Sequence, residues 1–140
     1  MASSLYRKGM ALRRRILGAK HIAQREASGD KFTKRQYRLS TEFAYGMVWS
    51  RKGLPLKVRS LVTLGMLTAL DRPDELKGHI RAALRNGATQ EEIHEVFIQA
   101  AAYCGLPAAN GATRLFVQVL REEGLRRGRS NKREKTERKS

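Results

Sequence analysis

Apolar residues recur along this chain at spacings of three and four, and β-branched residues never run long enough for a buried strand. The pattern predicts about six helices. Leu5–Gln24 reads as a basic helix with Met10, Ile16, Leu17 and Ile22 as its apolar contacts. Phe32–Val48 reads as a second, in which Phe43 and Met47, and likewise Tyr45 and Trp49, fall four apart. After the loop at Gly53, Pro55 suits the first turn of a third helix running to Leu70 through Val58, Leu61, Leu64 and Leu67. Asp71-Arg72-Pro73 makes a break, and a fourth helix ends at Asn86-Gly87, a common left-handed stop. Thr89 and Glu92 form a capping box that opens a fifth helix. Gly105-Leu106-Pro107 ends it and leads into a sixth, carrying Ala112, Leu115, Phe116, Val119 and Leu120 and closed by Gly124.

The fold class expected is therefore all-α. The apolar faces are broad, and Ala100, Ala101, Ala102, Ala108 and Ala109 permit close helix approach, so some faces are expected to bury against other copies of the chain. A length of 140 residues suits one domain, placed at residues 1–124. Such a chain buries roughly 68% of its unfolded surface, enough for one core. Residues 125–140 are charged and aperiodic, and are expected to form a basic disordered tail.

Charge changes the picture only at the ends. The 29 Lys and Arg against 13 Asp and Glu give +16, concentrated in Arg7–Lys20 and Arg126–Lys139, with a more balanced middle. These read as solvated ends rather than a nucleic-acid surface, since no groove-reading helix signature accompanies them. Cys104 is the only cysteine, which excludes an internal disulfide or a multi-cysteine metal site and fits a reducing, cytoplasmic setting. No apolar run approaches the ~18 residues a membrane span needs.

The first candidate for chemistry is Glu75 with His79. Four apart on a helix they share a face, and a carboxylate beside an imidazole would raise its pKa and prepare a proton donor. The same spacing also occurs in ordinary surface pairs. His94, among Glu91, Glu92 and Glu95, is expected to be solvent-facing, and His21 ends a basic helix, where an imidazolium suits the dipole; neither has comparable company. Trp49, the one tryptophan, belongs to core, interface or ligand wall, beside Ser50-Arg51-Lys52-Gly53. Arg59, in an apolar helix, either pairs with a carboxylate or binds one belonging to a ligand. Cys104 has no neighbouring base to make it a thiolate.

Several runs in fixed order then carry a family resemblance. They are EFAYGMVWSRKGL from Glu42 to Leu54, RSLVTL from Arg59, ALDRPDEL from Ala69, HIRAALRNG from His79, TQEEI from Thr89 and YCGLPAA from Tyr103. Together they resemble the carboxymuconolactone decarboxylase family, in particular its 4-carboxymuconolactone decarboxylase branch. YRKGM from Tyr6 and RILG from Arg15 resemble that branch's N-terminal helix, which argues against a cleaved Arg-rich transit peptide. The resemblance implies an alkylhydroperoxidase D-like helical bundle assembling as a trimer or hexamer. It implies cofactor-free decarboxylation of a small anionic lactone to 3-oxoadipate enol-lactone in protocatechuate breakdown.

On that reading His79 and Glu75 are the catalytic pair, either being the proton donor. Arg59 and Arg51 would hold substrate carboxylates, Trp49 and Tyr103 would wall the pocket, and Cys104 and Glu42 complete the substrate-binding set. No metal is implied. Two positions depart from the branch: Tyr45 stands where it often has Trp, and Lys52 where it often has Pro. The same superfamily includes alkylhydroperoxidase D-like peroxidases with a Cys-x-x-Cys followed by His. Placing His79 on that His puts Arg72 and Glu75 at the cysteine positions, which removes disulfide-based peroxide reduction.

Overall fold

A computed structural model describes residues 1–125, so the expected tail lies, beyond Leu125, outside the described residues. The described chain is all helical. Seven α-helices form rather than about six: α1 (Ser4–Leu17), α2 (Ala19–Ser28), α3 (Lys31–Ser40), α4 (Leu56–Ala69), α5 (Pro73–Arg85), α6 (Gln90–Cys104) and α7 (Leu106–Glu122). Between α3 and α4 a π-helical segment, Thr41–Trp49, continues α3 without a break.

The additional helix arises at Gly18. Its φ of 92° is left-handed, its N–H returns to the Arg14 carbonyl, and α2 starts afresh at Ala19. Arg85 reaches this corner from α5 and donates to the Leu17 carbonyl at 3.0 Å. The split moves His21 into the first turn of α2, not the last turn of a long helix, so the helix dipole opposes its charge. Burial, followed by the charge of Arg25, pushes its pKa down.

The other boundaries follow local chemistry. Ser3 caps α1, Asp30 caps α3 and the Thr89–Glu92 capping box opens α6. Asp71 takes a left-handed φ of 52° before Pro73 opens α5, and Gly87 turns the chain after it.

Helices α4–α7 enclose the main core of Leu64, Ile80, Ile93, Phe97, Phe116 and Val119, with the Phe97 and Phe116 rings edge-on at 6.0 Å. A second cluster joins Ile16 of α1, Tyr45 and Trp49 of the π segment, and Ala82 of α5. Two glycines make that junction. A Cβ at Gly9 would lie 2.1 Å from the Thr41 carbonyl oxygen, and one at Gly46 would lie 2.6 Å from that of Leu5. The two backbones touch where they cross, as only glycine permits. One turn beyond Gly9, the crossing places Arg13 against Tyr37, Thr41 and Tyr45.

Phe43 and Met47 point outward while Tyr45 and Trp49 point inward. Along α4 and its C-terminal cap a stripe of Val62, Met66 and Leu70, each four residues on, is also open to solvent in the single chain. Among the described residues no helix is long and apolar enough to cross a membrane.

Candidate active site

His79 lies in the second turn of α5, and its ring stacks on Trp49 with centroids 6.0 Å apart and planes 19° from parallel. Trp49 stacks in turn on Tyr45, at 6.1 Å and 15°. Beyond Tyr45 sits the Arg13 guanidinium, its Cζ 4.8 Å from the Tyr45 ring centre and 3.9 Å from that of Tyr37. Four elements thus contribute to one column: Tyr37 from α3, Arg13 from α1, Tyr45 and Trp49 from the π segment, and His79 from α5.

The column is mostly shut off from solvent. Arg13 is 7% exposed and Trp49 9%, while His79 is half-buried. Arg13 donates through Nη1 to the Thr41 hydroxyl at 2.8 Å, with longer contacts to the Tyr37 carbonyl and the Ser40 hydroxyl. Thr41, itself fully buried, donates to the Tyr37 carbonyl. Among the described residues no carboxylate lies within ion-pair distance of Arg13. Its charge is offset by aromatic faces and neutral oxygens instead.

His79 Nδ1 is buried and has no hydrogen-bond partner among the described residues. Burial pushes the imidazole pKa below its ordinary value, the charge of Arg13 lowers it further, and Glu75 only partly opposes them. Glu75 does raise it, as expected, but burial and Arg13 outweigh that, and the net shift is downward. Glu75 is exposed in the first turn of α5 and makes no hydrogen bond to His79, so separation and solvent weaken its charge. The resting imidazole is therefore held toward its neutral form.

The other expected site residues divide. Trp49 is core and ring partner of His79 at once. Arg59 neither pairs with a carboxylate nor stands free: its Nη2 donates to the Arg51 carbonyl at 3.2 Å, and its Nε is buried and unpartnered. The Arg51 side chain is exposed. Glu42 accepts from the Ser3 hydroxyl at 2.7 Å and lies 3.5 Å from Arg38, which ties it to the start of α1. Tyr103 and Cys104 are exposed at the end of α6, in a shallow cleft with Gly65, Glu92 and Gln99. Among the described residues, Glu42, Tyr103 and Cys104 form no hydrogen bond, ion pair or ring contact with the His79 column.

Arg13, Tyr37 and Tyr45 were not among the expected site residues. The available signal was Gly9 four residues before Arg13, marking a close crossing that would bury one arginine of the basic first helix.

Larger clefts open away from His79. One of about 480 Å³ between α6 and α7 is lined by Gln90, His94, Phe116 and Leu120, which leaves His94 half-buried rather than fully solvent-facing. Another of about 750 Å³ opens between Tyr6, Arg25, Lys34 and Arg38. Neither is lined by His79. What the column offers chemically is an imidazole with one unengaged nitrogen, held in place by an indole, able to gain a proton when an anion approaches and to surrender it again.

Residues 36–118 match the model of the carboxymuconolactone decarboxylase family. The chain is 39% identical over 127 residues to a 4-carboxymuconolactone decarboxylase of Acinetobacter baylyi, covering 91% of this chain and 95% of that one. It is 39% identical over 104 residues to a nitrosuccinic acid decarboxylase of Metarhizium robertsii, covering 74% and 73%. An uncharacterised 15.0 kDa protein of Paracoccus denitrificans is 39% identical over 85 residues, covering 59% and 63%.

Proposed function

Because the chain belongs to the carboxymuconolactone decarboxylase family, we propose that it decarboxylates 4-carboxymuconolactone to the enol-lactone, with His79 as the group that moves the proton. The observation that carries this reading is the stack of His79 on Trp49, with Nδ1 buried and unpartnered, inside the family-matched segment.

The bond to the departing carboxylate breaks, carbon dioxide leaves, and the electron pair passes into the unsaturated lactone as a dienolate. A proton then adds to carbon. The lactone carbonyl serves as electron sink, so the reaction asks the protein only for orientation, charge stabilisation and one proton. Nitrosuccinic acid, named in a second relative, also carries its own sink beside a carboxylate, the nitro group. A substrate with a built-in sink is thus what the two named chemistries share.

The lowered pKa of His79 fits this role. An anionic lactone beside the ring favours the imidazolium, so His79 takes up a proton as substrate binds and delivers it to carbon. Glu75, one turn away, adds to that preference without touching the ring. Arg59 and Arg51 are the cations assigned to substrate carboxylates.

The exposed stripe on α4 and the outward Phe43 and Met47 support assembly of several copies, with a trimer or hexamer as the form proposed. The test of function is to follow the lactone by ultraviolet absorbance with chelator present and no added coenzyme. Loss of lactone with release of carbon dioxide is expected. No turnover above the spontaneous rate would overturn the substrate.

A further inference from the structure

We propose that Arg13 is a positioning residue for His79, acting from the far end of the Tyr45–Trp49 stack without touching substrate. The inference rests on the reading of His79 as the proton-moving group, but its geometry stands apart from any substrate.

Three observations lead to it. Arg13 is buried with no carboxylate partner among the described residues, an arrangement costly enough that a hydrophobic residue of similar volume would often serve stability as well. Its guanidinium is nonetheless held by three groups, the rings of Tyr37 and Tyr45 and the hydroxyl of Thr41. Tyr45 then carries the registration to Trp49, and Trp49 to His79. A planar, permanently charged fork suits this place, because a flat guanidinium packs face to face on rings where an ammonium cannot.

The electrostatic surroundings of His79 single out the same residue. From α1 it feels Arg13, and from its own helix Glu75. The π segment presents Tyr45, whose own pKa burial raises and Arg13 lowers. The charges of the remaining helices packed on α5 are mostly engaged elsewhere. Lys57 of α4 pairs with Glu92 of α6, and Arg59 donates to the Arg51 carbonyl. Glu122, at the end of α7, and Glu123 just beyond it pair with Lys77 and Arg81. Glu91, Glu95, Arg114 and Arg121 are exposed. After burial itself, Arg13 is thus the charge that most disfavours the imidazolium of His79.

The experiment is a nuclear magnetic resonance titration of the histidine rings in the full chain, with His21 and His94 as internal references. In Arg13→Gln the His79 midpoint is expected to rise by about half a pH unit or more, because a cation that disfavours the imidazolium is gone. In Arg13→Lys, which keeps charge and loses the planar clamp, it stays low while the Trp49 near-ultraviolet dichroism weakens. A folded Arg13→Gln protein with an unmoved midpoint overturns the proposal.

If Arg13→Gln does not fold, Thr41→Val decides. It unties the guanidinium at nearly constant volume, and His79 and Trp49 signals that both stay at their original values would overturn the proposal. With 4-carboxymuconolactone, the pH profile of kcat should shift with the midpoint while KM changes by less than about twofold. If the unaltered chain fails to turn over, the proposed substrate falls and the titration still judges Arg13. If it turns over and the titration is unmoved, Arg13 alone falls.

Discussion

Trp49 and His79 face one another across the junction of two helical elements, their ring centroids 6.0 Å apart and their planes within 19° of parallel. An indole face held against an imidazole fixes the ring's tilt without using either of its nitrogens. That leaves the choice of proton partner to whatever enters beside it.

Replacing His79 with Ala is expected to lower turnover of 4-carboxymuconolactone by ~10²–10⁴-fold, the usual worth of a positioned proton donor, with the helical fold kept. Glu75→Gln should cost much less, since Glu75 contributes charge at a distance and no bond. The pH dependence separates the two roles: loss of His79 abolishes the basic limb of the rate profile. A limb unchanged in His79→Ala would move the donor role to another residue, with Glu75 first in line.

Stability should fall on mild acidification. The folded pKa of His79 lies below its unfolded value, so in the window between them the unfolded chain binds a proton that the folded chain refuses. Stability contributed by the neutral ring is complete above the ordinary histidine range, about 6.5, and is lost as the pH falls through the folded pKa. Thermal melting from pH 7.5 downward should show a falling Tm, and His79→Gln should flatten that slope. His21 shifts in the same direction, so a residual slope is expected in the variant.

The crossing of α1 over the π segment should tolerate no side chain. Gly46→Ala would put a Cβ 2.6 Å from the Leu5 carbonyl oxygen, and forcing the backbones apart should cost about 1–3 kcal/mol in urea unfolding. Gly111→Ala on α7 is the control. Nothing lies within 4 Å of its Cβ position, so the better helix former should stabilise the fold by ~0.5–1 kcal/mol.

Met66, 60% exposed between Val62 and Leu70, is the place to test assembly. A charge there has no cost in an isolated chain and a large one in a packed interface. Met66→Glu should therefore shift the sizing profile toward the monomer without loss of helix content. An unchanged oligomer would place the interface on another face, with Phe43 and Met47 as the next pair to alter.

Helix boundaries were legible in the sequence wherever a cap or a left-handed stop lies within a few residues, as at Thr89–Glu92 and Asn86-Gly87. The break at Gly18 was not. Apolar spacing runs on from Ile16 and Leu17 to Ile22, and the residue that seals the corner, Arg85, is 68 positions from Leu17. The π winding of Thr41–Trp49 escaped for a related reason, because Tyr45 and Trp49 four apart read equally well as an α-helical pair.

At the site, His79 and its spacing from Glu75 could be read directly. The sign of its pKa shift could not, because burial and a cation from α1 outweigh the neighbouring carboxylate. Arg13 itself stands in a row of three arginines, two exposed and one buried. Only the crossing at Gly9 and Gly46 tells them apart.

That crossing also bears on how such proteins diverge. The family-matched segment runs from residue 36 to 118 and holds Trp49 and His79, whereas Arg13 lies ahead of it on α1. A relative that keeps the shared segment and exchanges its first helix inherits the imidazole with a different neighbour at the base of the column. Working pH and preferred anion can then drift among descendants through substitutions in a helix that alignments of the common region never display.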